Sequence, residues 1–157
     1  MYKRQGERIV GLDAAIPKFR QQLNIVKSIK KRFESSLFDI QQIVRADLFD
    51  SEIDEARELL KNGFLRAAGA IAGVVLEKHL EQVCFNHNIK IRKRNPHISD
   101  YNDMLKKEDI LDVPTWRFIQ RLGDIRNLCV HKKDREPTKE EVDELLKGVE
   151  KVTKTLF

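Results

Sequence analysis

The sequence predicts an all-α protein: an up-and-down helical bundle preceded by an extra N-terminal helical arm. Three observations carry that prediction. Only 7 Gly and 4 Pro occur in 157 residues, and long stretches lack both. Apolar residues recur every three or four positions along most of the chain. No stretch alternates apolar and polar residues as a half-buried strand would.

The elements follow in order. Ala14 to about Phe33 carries Ile16, Phe19, Leu23, Ile25, Val26 and Ile29 near a helical period, with Pro17 tolerable in a first turn. Leu37 to Phe49 repeats the pattern through Ile40, Ile43 and Leu48. In "DSEIDEARELLKNG", Asp50 or Ser51 reads as an N-cap, acids fill the first turn, and Gly63 stands just past the end. Phe64 to about His87 is the most apolar helix. Its Gly69 and Gly73, four apart, suit the close approach of another helix. "NHNIKIRKRNPHIS" breaks the pattern and predicts a loop, followed by a short helix at Tyr101–Lys107. Pro114 opens a helix with Phe118, Leu122, Ile125 and Cys129 on one face. Finally, Thr138 and Glu141 form a capping box before the apolar stripe Val142, Leu145, Leu146, Val149, Val152 and Leu156. Residues 1–48 read as the arm and 49–157 as the bundle, with one compact domain overall.

Composition narrows the function classes. Hydrophobic residues at 41% are sufficient for a packed core, and charged residues at 35% for a solvated surface. The longest apolar run, "AAGAIAGVVL", is about half the roughly 20 residues that span a bilayer, so no membrane segment is expected. Two cysteines and a charged N-terminus without a signal-like apolar core predict a reducing, cytoplasmic setting. Residues 1–35 hold nine Lys+Arg against three Asp+Glu, whereas the remainder holds 21 against 22. The basic excess therefore belongs to the N-terminal segment. A second basic cluster, Lys90, Arg92, Lys93 and Arg94, lies in the predicted loop. Clustered cations suit a polyanion, and they equally suit a solvated face.

The stretch "DIRNLCVHKKD" places Arg126, Asn127 and His131 at the end of an apolar-patterned helix. Arg126 falls on the margin of the buried face, where a guanidinium must be paired, hydrated or used. Glu77 on the apolar helix is a candidate partner. His131 comes five residues later, about 140° around an ideal helix, so the two side chains do not share a face unless the last turn loosens. Cations near a helix C-terminus also complement the dipole with no further role. His79, His87, His97 and Cys84 have spacings that match no standard zinc pattern, and neither a metal nor another cofactor is expected.

Arg126, the polar Asn127, three further residues and His131 resemble the Arg-x(4–6)-His signature of HEPN domains, the higher eukaryotes and prokaryotes nucleotide-binding family. "EARELLKNGFLRAAGAIAGVVLEKHLEQV" resembles the paired helices of the branch found in bacterial defence and toxin–antitoxin loci. The similarity covers about Ser51 to Phe157 and leaves the arm outside. It implies a metal-independent endoribonuclease whose homodimer sets two motifs in one cleft, with an antitoxin or other defence protein as a further partner. The main rival it admits is a catalytically silent module that binds RNA or a protein. A third reading is a helical adaptor that binds through its arm.

Those residue types fit the chemistry. Histidine titrates near neutrality and can move the proton of a 2′-hydroxyl. A guanidinium can hold phosphate oxygens in a bidentate grip. Asn127 can hydrogen-bond the phosphate or orient His131. A two-fold axis would join two Arg–His pairs from a sequence that supplies one. Lys90, Arg92, Lys93, Arg94 and Lys132 are the expected RNA-backbone contacts, bordering the cleft that holds His131.

Overall fold

The structure, a computed structural model, describes residues 12–131 and 135–157, with the side chains of 12–14 and 46 outside the description. Five helices occur in it: α1 (Leu12–Lys61), α2 (Leu65–Asn86), α3 (Ile98–Lys107), α4 (Val113–Val130) and α5 (Lys139–Thr155). No strand occurs among the described residues. Chain contacts divide it into two units, one ending at Val44 and one running from Arg45 to Phe157. Among the described residues no helix is long and apolar enough to cross a membrane.

The first three expected segments are one 50-residue helix. No Gly or Pro interrupts residues 18–62, so nothing forces an exit at Phe33 or Phe49. Ser36 between the expected segments stays within the helix, its Oγ donating to the carbonyl of Arg32 at 3.0 Å. Asp50 and Ser51 do not cap, because an N-cap residue is itself non-helical and both stand inside α1. Asp50 instead approaches Lys154 at 3.8 Å, and Glu52 accepts from Lys78 at 3.2 Å. Pro17 lies inside the helix, where its missing N–H forgoes a helical hydrogen bond.

Along the first unit the apolar spacing is tighter than a general helical period. Ile16, Phe19, Leu23 and Val26, then Phe33, Leu37, Ile40 and Val44, alternate at three and four residues, with Lys30 filling the position between them. Eight of these nine heptad positions are apolar, and those eight are 41–64% exposed. They form a continuous uncovered seam, and not the buried face that their periodicity first suggests.

From Phe49 the same helix changes role. Ile53, Ala56 and Leu60 are buried in the core of the second unit, and the Phe49 ring meets His79 edge-on at 5.9 Å. The helix stops where the sequence says it should. Gly63 has φ +84°, its N–H reaches the carbonyl of Leu60, and the N–H of Phe64 reaches that of Leu59, a Schellman ending. α2 is the central element, packed against α3, α4 and α5. The Thr138–Glu141 capping box forms as expected, with Glu141 N–H donating to Thr138 Oγ1 at 3.3 Å and Thr138 N–H donating to Glu141 at 3.0 Å. Glu141 also pairs with Arg135, and that guanidinium holds its carboxyl down at about 2. α3 begins three residues earlier than the spacing suggested, because Asp100 accepts the N–H of His97 at 2.8 Å and closes a turn there.

Candidate active site on the fourth helix

α4 starts at a cap that its sequence dictates: Asp112 accepts the N–H of Thr115 at 2.8 Å, and Pro114 sits in the first turn. Ile119, Leu122, Ile125 and Cys129 are buried beneath it. α4 can lie this close to α2 because of two glycines. A Cβ on Gly69 would stand 2.2 Å from Cys129 Sγ, and one on Gly73 would stand 2.2 Å from Arg126 Cγ. The glycine pair thus makes the groove that receives the α4 side chains, and Gly73 makes room specifically for the Arg126 stem.

Arg126 is therefore drawn along α2, its side chain 17% exposed. Its Nη2 lies 3.6 Å from Glu77 Oε2, so the partner read from the sequence is the one present. Its Nη1 donates to Asn127 Oδ1 at 3.3 Å. Both contacts are longer than the 2.7–2.9 Å of a tight charge-assisted bond. Nε is buried with no hydrogen-bond partner among the described residues, and so is Glu77 Oε2. The guanidinium is held in place, and its donors are not consumed.

Arg126 and Asn127 line a cavity of about 260 Å³ between α4 and the start of α3. Gln120, Gly123 and Asp124 complete its α4 wall, while His97, Ser99 and Asn102 contribute from the other side. Asn102 is fully buried. Its Nδ2 donates to the carbonyl of Trp116 at 2.9 Å, and its Oδ1 has no partner among the described residues. Sequence reasoning missed this cavity wall, although the signal was present: Gln120, Gly123, Asp124 and Asn127 are spaced i, i+3, i+4, i+7 and form a polar stripe on an otherwise apolar-patterned helix.

His131 is placed differently. It is the C-cap of α4, exposed, with its N–H on the carbonyl of Asn127 at 3.1 Å. Its ring makes no hydrogen bond with the described residues, and it does not line the Arg126 cavity. One chain brings Arg126 together with Asn127 and leaves His131 apart, as the five-residue spacing on a regular helix requires. Arg66 fixes that helix end. Its Nη1 donates to the carbonyl of Cys129 at 3.2 Å, its Nη2 to that of His131 at 3.4 Å, and its Nε to Glu136 at 2.7 Å. A cation in the first turn of α2 opposes that helix's own dipole. That mismatch was the sequence clue to a role at the end of α4.

Of the expected backbone contacts, Lys132 lies outside the described residues. Lys90, Arg92 and Lys93 line a depression shared with Asp100, Asp103 and Glu108, separate from the Arg126 cavity, and Arg94 is exposed nearby in the same loop. Lys93 Nζ is bound to both Asp100 oxygens, at 2.9 and 2.7 Å, and this lysine more than any other group lowers the Asp100 pKa. Asp100 also receives the N–H of His97, so a single carboxylate ties the basic loop to the rim of the cavity. The other histidines have structural places. His79 is buried with Nε2 donating to the carbonyl of Leu156 at 2.9 Å, and His87 reaches that of Phe157 at 3.0 Å. Burial pushes the His79 pKa below its ordinary value, and it raises both cysteine thiols, Cys84 to about 11.

No family model, curated protein or solved structure matches this chain.

Proposed function

We propose that the chain is a HEPN-like, metal-independent endoribonuclease, active as a homodimer and serving a toxin–antitoxin or phage-defence system. The observation that supports it most is the state of Arg126. It is seated by Gly73, oriented by a loose Glu77 pair, and borders a cavity with donors still to give. A phosphate oxygen is the ligand such a guanidinium holds best. The cavity, with a buried acceptor on Asn102 and polar groups on Gln120, Asp124 and Asn127, is suited to the sugar or base edge of an adjoining nucleotide. In this reading His131 takes the proton of the ribose 2′-hydroxyl, whose oxygen attacks phosphorus to form a 2′,3′-cyclic phosphate while the bond to the 5′-oxygen breaks and that oxygen takes up a proton from water. Arg126 stabilises the charge that gathers on the phosphoryl oxygens. Because His131 stands apart from Arg126 in one chain, the working site combines Arg126 and Asn127 of one protomer with His131 of its partner.

That same separation also favours the silent-module reading, in which the cavity binds RNA or a partner protein and no bond is cut. Cleavage assays with wild type, Arg126→Ala and His131→Ala in EDTA decide between them. The endoribonuclease reading expects EDTA-resistant cleavage by wild type and its loss in both variants, with helicity unchanged by circular dichroism. RNA binding by wild type with no cleavage supports the silent module. Equal cleavage by all three overturns the assignment of the site.

A further inference from the structure

The exposed seam on the first unit has a periodicity that specifies its own cover. Its 3–4 spacing averages 3.5 residues from Ile16 to Val44, just over four heptads and about 40 Å of helix. About three to four heptads are sufficient to mark a coiled coil. A seam of that period, with the further exposed apolar residues Ile25, Ile29, Phe38 and Ile43 beside it, matches another helix with the same repeat. With Ile16 at an a position, the a positions are Ile16, Leu23, Lys30, Leu37 and Val44. The d positions are Phe19, Val26, Phe33 and Ile40.

Charge then selects the direction. In a parallel pair, Lys30 would face Lys30 of the other copy inside the seam. Lys27 would flank Gln22 and Glu34 would flank Ile29, so no ion pair would form. In an antiparallel pair, a positions share layers with d positions. Leu23 then meets Ile40, Val26 meets Leu37, and Phe19 meets Val44, each twice by symmetry. Lys30 meets Phe33, whose ring face can accept a cation. The same register sets Lys27 beside Glu34 of the other copy, again twice. Glu34 already approaches Lys30 of its own helix at 3.8 Å, so the one cation in the seam has a counter-charge at hand.

We infer that residues 16–44 form an antiparallel two-stranded coiled coil with a second copy of this chain, in the register that pairs Lys27 with Glu34 and Val26 with Leu37. The surface uses no residue of the Arg126 site, so it stands or falls separately from the proposed ribonuclease activity.

The test uses full-length protein and a short bismaleimide. Val26→Cys chains mixed with Leu37→Cys chains give a covalent dimer, whereas Val26→Cys alone gives little, since Val26 does not face itself. Native Cys84 and Cys129 are buried, which limits background. Lys27→Glu and Glu34→Lys each weaken association about fivefold, by replacing two exposed pairs with repulsion, and the double exchange restores it. Efficient cross-linking of Val26→Cys alone would establish a parallel pair and overturn the register. A monomer in light scattering with no cross-link in either sample would overturn the coiled coil. Failure of the double exchange to restore association would likewise contradict the antiparallel direction.

Discussion

Gly73 matters to Arg126 through the atom it lacks. A methyl there would stand 2.2 Å from Arg126 Cγ, so Gly73→Ala must displace the arginine stem from α2. We expect the substitution to cost about 1–3 kcal/mol of stability, the range for overpacking, and to cut RNA cleavage more than its stability loss explains. Denaturant unfolding and a cleavage assay on the same preparation check this; unchanged cleavage would show that Arg126 need not be held in place. His79 offers a second residue-level test. Burial lowers its folded pKa below the ordinary 6.5, so its contribution to stability is complete above pH 6.5. It is lost progressively as pH falls from 6.5 towards the lowered folded value. A melting temperature that declines over that window in wild type and less in His79→Gln is the expected result. At this scale the sequence was partly legible. The purpose of the glycine pair follows from spacing, and Glu77 stood out as a candidate partner on the apolar helix. The polar stripe of α4 was there to be read, but the cavity beside Arg126 also depends on how the start of α3 meets α4, a tertiary relation that no local pattern encodes.

Whole helices were read best where a terminus has its own chemistry. Gly63, the Thr138–Glu141 box and the Pro114 start each carry side chains or backbone freedom that bound a helix wherever they occur. The false boundary at Asp50 and Ser51 came from residue types that cap only where a helix begins, whereas α1 runs through both. The apolar stripe of the arm was read only as near a helical period; its finer three-and-four spacing averages 3.5 residues. Two substitutions test the helix ends. Thr138→Ala removes the hydroxyl that accepts the Glu141 N–H and should cost about 1 kcal/mol by urea unfolding. Arg66→Gln removes the guanidinium from the carbonyls of Cys129 and His131. We expect it to lower kcat for RNA cleavage more than it lowers stability, since His131 lies at the end that Arg66 holds. An effect on stability alone would limit Arg66 to a helix cap.

For the molecule as a whole, the basic loop and the composite site make separate demands. Lys90, Arg92 and Arg94 are exposed, whereas Lys93 is engaged by Asp100. Neutralising the first three should weaken RNA binding and flatten its salt dependence by about 0.7 per lost phosphate contact on a single strand, with little change in cleavage position. An unchanged slope in a fluorescence titration would make the loop a solvated connection. The central claim is that Arg126 and His131 act across two copies, and one mixing experiment addresses it directly. Arg126→Ala and His131→Ala chains, each inactive, are unfolded together, refolded at equal ratio and assayed on RNA in EDTA. Half of the resulting pairs are mixed, and each mixed pair rebuilds one of its two sites, so about a quarter of wild-type activity should return. An active wild type together with a mixture that stays inactive would place both residues in a site belonging to a single chain, contrary to this account.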